Sequence, residues 1–276
     1  MSPLRVDTAR KLNEASGILA LAVLLDSAVE HYRGSFKNPA MVLPLVVSAL
    51  TVGINLHGRS DARSTAHGFR RGVGIAATLT GTAGTGFHIY NVLKRPGRLD
   101  WQNLFYGAPL GAPAAIILAG ILAMSAEGVR TRSPSLDSER IGSSAAGRLL
   151  AVVSGLGLIG TAAEAALMHF RGAFHNPAMV APVTLPPVAG ALLLHTAATK
   201  QPAHSRLTRW FLRATGVLGF LGTAFHAWGV HRNMGGWRNW RQNVLNGPPL
   251  PAPPSFTGLA LAGLAALALL GGRRDG

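Results

Sequence analysis

Residues 31–41 read HYRGSFKNPAM and residues 169–179 read HFRGAFHNPAM, identical at 8 of 11 places with an offset of 138. The same offset pairs Pro44 with Pro182, His57 with His195, Arg71 with Arg209, Gly81 with Gly219, Phe87 with Phe225 and His88 with His226. After one shift of two residues, Gln102-Asn103 matches Gln242-Asn243, and Gly107, Pro109, Leu110 and Pro113 match Gly247, Pro249, Leu250 and Pro253. A period this long, kept over most of the chain, marks a duplicated unit.

Eight apolar runs lie around these motifs, at about 15–33, 39–57, 72–93, 107–126, 148–170, 177–199, 211–231 and 255–271. Each is close to the ~20 residues that cross a bilayer as a helix. The expected fold is an all-α integral membrane protein with eight transmembrane helices, four per copy. Because four is even, both copies enter the membrane in the same direction. The result is a parallel tandem repeat of two four-helix units rather than an inverted one. The first unit covers 1–127, a Ser-, Arg- and Gly-rich cytoplasmic linker covers 128–147, and the second unit covers 148–276. The run Gly17–Leu25 has the look of a signal-peptide core. Asp26 and Glu30 follow it where small residues would mark a cleavage site, so retention is expected.

Composition agrees with a membrane solvent. The 276 residues are 48% hydrophobic and 13% charged, with 34 glycines, against about 25% charge in ordinary soluble domains. Mean hydropathy is +0.28. Lys and Arg outnumber Asp and Glu by 26 to 11. They fall in short loops between apolar runs, which speaks for membrane topology and against a nucleic-acid partner. Of the 26 basic residues, 17 lie on one side of the eight-span topology and 9 on the other when they are counted along the chain. This asymmetry puts both termini in the cytoplasm. The Ala-, Arg- and Gly-rich composition suits a bacterial inner membrane. There is no cysteine, which excludes disulfides, thiolate ligands, iron–sulfur clusters and covalent haem c.

Polar residues kept in both copies inside apolar helices are the natural candidates for function, since ionisable groups in a span are expensive. His31, His88, His169 and His226 stand at similar depth near the outer face, two per four-helix unit and on different helices. Two imidazoles facing across a bundle are what a bis-histidine haem b requires. Gly84 precedes His88 on the same helical face, as Gly222 precedes His226, and both are expected to leave room for a flat macrocycle. Arg33 and Arg171 follow the first-helix histidines by two residues, at the height where propionates would lie. The expected cofactor is haem b. The expected activity is electron transfer, or oxidation of a membrane-soluble substrate, with a quinone or a periplasmic redox partner.

Asp26 aligns with Glu164, each five residues before its histidine. Asp26, His31 and His88, and likewise Glu164, His169 and His226, make the ligand count of a directly bound iron, copper or zinc ion. The i,i+5 spacing opposes this, because five steps of about 100° leave the two side chains about 140° apart. A third reading is an ion or proton transporter, or an assembly factor, built on the same His/carboxylate cluster. The layout of tandem four-helix units, each with two histidines near the outer face, resembles that of haem A synthase. In this chain the histidines fall on odd-numbered helices, and no residue role is carried over. Asn38-Pro39 and Asn176-Pro177 read as helix caps. His57 and His195 read as interfacial, and Trp101, Trp228, Trp237, Trp240 and Tyr106 as an outer aromatic belt.

Overall fold

The computed structural model describes residues 3–107, 109–131, 136–199 and 205–271. Arg132, Lys200 and the pair Arg273-Arg274, counted above for topology, lie outside the described residues. The described chain is helical, with no strand among the described residues. The helices are α1 (Pro3–Arg33), α2 (Leu43–Ser60), α3 (Gly68–Leu93), α4 (Trp101–Tyr106), α5 (Gly111–Arg130), α6 (Leu136–Arg171), α7 (Ala181–Ala198), α8 (Ser205–Arg232), α9 (Trp240–Asn246) and α10 (Pro254–Gly271). Single turns of 3-10 helix at Pro39–Val42 and Pro177–Val180 lead into α2 and α7.

Six segments are long and apolar enough to cross a membrane: Leu4–Arg33, Pro39–Ser60, Gly111–Arg130, Ala145–Arg171, Pro177–Ala198 and Pro254–Gly271. The chain is therefore an all-α, multi-pass membrane protein. Helices α3 and α8 are as long but less apolar, with arginines near their starts and threonines, glycines and a histidine along their length.

Helix α1 packs on α2 and α5, and α3 packs on the same two, closing a ring of four. Helices α6, α7, α8 and α10 close a second ring, and the rings meet through α1 on α10 and α5 on α6. The largest core lies along this seam, built from Leu12, Leu19, Leu122, Leu158, Leu259 and their alanine neighbours. The outward helices instead present Leu56, Phe69, Leu79, Phe220 and Phe225 on their surfaces, the faces that lipid solvates. Two helices start well before the apolar runs expected from the sequence. Helix α1 begins at Pro3 rather than near residue 15, because Ala9, Leu12 and Ala15 bury one face among the polar residues of its first turns. Helix α6 begins at Leu136, so helix occupies much of the segment expected to be a linker.

Glycine sets the close crossings. A Cβ on Gly120 would lie 2.5 Å from the Gly74 carbonyl oxygen, and one on Gly190 2.6 Å from that of Gly155. A Cβ on Gly81 would lie 2.6 Å from the Pro113 oxygen and 2.7 Å from Ile117. Small residues let helix backbones approach where apolar burial offers little drive in lipid. Gly81→Leu should therefore destabilise the protein by roughly 1–3 kcal/mol. Gly86→Ala is the control, because a Cβ there meets nothing within 4 Å. Thermal unfolding in detergent checks this, and equal melting temperatures for the two variants would refute it.

At the arginine-rich end of the first ring lies an ionic cluster. Glu127 accepts an ion pair from Arg70 Nε at 2.8 Å and a hydrogen bond from the His67 backbone N–H at 2.7 Å. Arg70 Nη1 donates to Asp61 at 2.8 Å. Arg130 donates to the carbonyls of Gly58, Asp61 and Arg63 at 2.6–2.9 Å. Arg70, Glu127 and Arg130 are each 1% exposed. The cluster straps the 61–67 loop to α5. Burial alone would raise the Asp61 carboxyl, but the Arg63 N–H and the Arg70 guanidinium outweigh it and hold the carboxyl below the usual range. A depressed folded-state value stabilises the fold above the ordinary carboxylate value of about 3.9, and that contribution is lost as the pH falls through the folded value. Asp61→Asn should accordingly lower stability at neutral pH and flatten its decline in acid. An unchanged acid limb would refute this.

Candidate functional site

The duplicated motif builds the same local structure twice. After His31 the chain turns through Ser35 and Phe36, both with positive φ (56° and 45°), and after His169 through Ala173 and Phe174 (55° and 45°). Two consecutive non-glycine residues in the left-handed region are costly backbone. They are held by Phe36 N–H donating to the His31 carbonyl and Phe174 N–H to the His169 carbonyl, both at 3.0 Å. Asn38 then caps the following turn through the Ala40 N–H, and Asn176 caps through Ala178, both at 2.9 Å, as expected of Asn-Pro.

This turn returns the backbone to its own histidine. His31 Nδ1 donates to the Met41 carbonyl at 2.7 Å, and His169 Nδ1 to the Met179 carbonyl at 2.9 Å. The second pair is anchored in the same way from a different loop: His88 Nδ1 donates to the Pro109 carbonyl, and His226 Nδ1 to the Pro249 carbonyl at 2.6 Å. A carbonyl only accepts, so each imidazole carries its proton on Nδ1 and keeps Nε2 as the free nitrogen. The structure gives those Nε2 atoms no hydrogen-bond partner among the described residues. His31 lies within electrostatic reach of His88, and His169 within reach of His226. All four rings are half-buried.

Gly84 and Gly222 stand against Pro113 and Pro253. The place of a Cβ on Gly84 is bounded by Pro113 Cβ at 3.2 Å, and on Gly222 by Pro253 Cβ at 2.8 Å. They face the first turns of α5 and α10, so they bring Pro109 and Pro249 within reach of the histidines. Arg33 pairs with Glu30 at 2.7 Å on the exposed rim. Arg171 instead stacks over Phe105 and Tyr106, 5.6 and 5.2 Å from the ring centroids. Those rings belong to α4, which the first half supplies. Reciprocally, Arg241 of α9 donates to the Tyr32 hydroxyl at 2.6 Å. Helices α4 and α9 thus each contact the other ring of helices. Trp101, Trp228, Trp237 and Trp240 remain exposed on this side.

Neither carboxylate is hydrogen-bonded to an imidazole among the described residues. Glu164 accepts the Gly111 N–H at 3.1 Å, at the start of α5. Asp26 lies within electrostatic reach of Glu30, Glu164 and Arg33, and nothing donates a hydrogen bond to it among the described residues. Nor, among the described residues, do three His, Asp or Glu side chains converge where one ion would fit. Met41 and Met179 enter this site through their carbonyls. His57 does not join the outer cluster; its exposed ring meets that of His67 at 5.8 Å.

No family model, curated protein or solved structure matches this chain. The reading of the site rests on its own chemistry.

Proposed function

We propose that this is a membrane redox protein whose two histidine pairs, His31 with His88 and His169 with His226, each hold one haem b near the outer face. The observation that carries the reading is the fourfold Nδ1–H to carbonyl bond. Such a bond orients an imidazole, fixes its tautomer and raises the basicity of Nε2. It is the arrangement found behind histidines that ligate a metal. A core histidine needing only satisfaction gains nothing from four copies that all leave the same nitrogen free. Arg33 and Arg171, on the rim beside the first-helix histidines, supply positive charge at the height of propionates. A bound haem would supply one-electron chemistry, and the chain would supply axial nitrogens, orientation and exclusion of water. A directly bound iron, copper or zinc ion is the weaker reading, because Glu164 is engaged at the start of α5 and no three His, Asp or Glu side chains converge among the described residues.

The same proposal takes α3 and α8 as spans, making eight, with both termini cytoplasmic in a bacterial inner membrane. It takes 1–127 and 148–276 as two parallel units related by a pseudo-two-fold axis along the membrane normal. Recurrence of each histidine contact in the second half supports this. The electron partner is a quinone or a periplasmic protein. Reporter fusions at positions 100 and 135 should read periplasm and cytoplasm respectively, and the reverse would overturn the topology. For the cofactor, reduced-minus-oxidised spectra of the purified protein should show a b-type α band. A preparation with neither chromophore nor stoichiometric metal would overturn the redox reading.

A further inference from the structure

The histidine end of the molecule carries positive charge that its own acids do not balance. The four helices that bear the histidines all finish there, α1 at Arg33, α3 at Leu93, α6 at Arg171 and α8 at Arg232. Asp26 and Glu164 lie five residues deeper than their histidines. Beyond them, the helix ends and the loops that follow hold nine Lys and Arg but two acids, Glu30 and Asp100. Four of these cations stand at helix C-termini, Arg33, Lys94, Arg171 and Arg232, where the negative end of the helix dipole favours them. Arg33 also takes Glu30, at 2.7 Å. Lys94 and Arg171 lie over aromatic rings, and Arg241 donates to the Tyr32 hydroxyl. That leaves Lys37, Arg95, Arg98 and Arg238. All four are exposed, and none has an acid within ion-pair distance among the described residues.

The opposite end is richer in cations, but acids stand among them: Lys11 pairs with Asp7, Arg59 with Glu14, and Arg70 with Asp61 and Glu127. Its remaining excess is what a cytoplasmic face carries. The same rule works against cations on the outer face, so insertion does not account for the four at the histidine end. Apolar side chains stand on the same loops. Met234 is 90% exposed, and Trp237 and Trp240 are 47% and 60% exposed, on the segment that bears Arg238. Arg, Trp and Met are the side chains enriched where proteins bind one another.

We propose that the histidine end is the docking face for an acidic redox protein, whose carboxylates meet Lys37, Arg95, Arg98 and Arg238, with Met234 and Trp237 as apolar anchors. The inference rests on the haem reading above and gives the partner of that site its chemistry. Lys37 follows His31 by six residues and Arg95 follows His88 by seven, so a protein held by these cations stands over the histidine pairs. Complementary charge speeds encounter and orients the partner, and salt weakens both effects. One electron then passes between the two proteins, the donor being oxidised as the acceptor is reduced. No atom or proton need be exchanged.

The chain has no cysteine, so Met234→Cys carries one environment-sensitive dye that reports from this end alone. The labelled full chain is placed in nanodiscs of phosphatidylcholine, a lipid without net charge, and poly-L-glutamate is the acidic probe. The dye should respond to poly-L-glutamate and not to poly-L-lysine, and the response should fade as salt passes about 0.1 M, where the screening length falls to about 10 Å. Lys37→Gln, Arg95→Gln and Arg238→Gln together should weaken binding about tenfold. Arg71→Gln, Arg206→Gln and Arg213→Gln, three exposed cations of the opposite end, should leave the response at Met234 unchanged. These are surface positions, and unchanged melting temperatures show that both triple variants fold. In the unlabelled protein, oxidation of the reduced b-type band by ferricyanide should slow as salt rises, and oxidation by hexaammineruthenium(III) should quicken. A dye that ignores poly-L-glutamate, or a histidine-end triple variant that binds it like the wild type, overturns the docking face and leaves the haem reading standing. Loss of binding once phosphatidylglycerol is added to the nanodisc assigns the cations to lipid headgroups and overturns it equally. Binding of poly-L-glutamate by a protein with no b-type band overturns the haem reading and the partner's redox role together, while the acidic docking face stands.

Discussion

Replacing Glu127 by alanine is expected to remove about 3–5 kcal/mol of stability, because it strands two buried guanidinium groups. Glu127 faces Arg70 Nε at 2.8 Å and Arg130 Nε at 3.8 Å, and all three side chains are almost wholly buried. Without the carboxylate, Arg70 keeps only Asp61, and the His67 N–H loses its acceptor. The aligned positions of the second half carry no charge. Thr208 stands at the position of Arg70, Leu267 at that of Glu127 and Leu270 at that of Arg130. The combined variant Arg70→Thr, Glu127→Leu, Arg130→Leu should therefore recover much of what Glu127→Ala loses, since replacing a whole buried ionic group by packed apolar residues is often neutral. Thermal unfolding in detergent gives the comparison. Equal losses in the single and triple variants would show that the cluster is not balanced as described.

This cluster also marks a limit of the sequence reading. Arg70 and Arg130 contribute to the positive side in the charge count, and nothing in their spacing reveals that each is buried against an acid some 57 or 3 residues away. An acid at the end of an apolar helix, Glu127, was the available signal. Leu267 stands in its place in the second copy, so duplication does not single it out. Asn55 was hidden in the same way. It donates to Ser16 at 2.8 Å, and Ser16 donates to the Ala119 carbonyl at 2.7 Å, joining three helices. Leu193 stands in its place in the second half.

The helical, membrane-spanning character was legible because apolar run length is a direct consequence of bilayer thickness. Helix starts were less legible, since α1 continues outward on a narrow buried face among charged residues. The histidines could be singled out from the repeat, but not their anchors. The acceptors are backbone carbonyls of Met41, Met179, Pro109 and Pro249, and a carbonyl has no side-chain identity to read. Periodicity placed Gly84 on the face of His88. It could not say that this face meets α5 at Pro113.

Single replacement of His88 or His226 by alanine should each remove about half of the b-type absorbance, and the double replacement should abolish it. The partners His31 and His169 should behave in the same way, because a haem missing one strong axial nitrogen loses its low-spin spectrum even where it stays bound. The anchoring bond makes a finer prediction. His88 and His226 receive their acceptors from Pro109 and Pro249, which sit just before α5 and α10, and Gly84 and Gly222 allow that approach. Gly222→Val would meet Pro253 at 2.8 Å from its first atom alone, displacing α10 and with it the Pro249 carbonyl. The histidine then remains in the sequence but loses its orientation. That variant should retain part of the second-half band with a shifted potential, unlike His226→Ala, which should lose that band. Loss of the hydrogen bond behind a ligating histidine typically costs about 10–100-fold in metal affinity. Haem retention during dialysis against apomyoglobin supplies the measure. If Gly222→Val melts at a lower temperature yet holds its haem as tightly as the wild type, the anchor is a packing contact alone, and the ligand role assigned to His226 loses its main support.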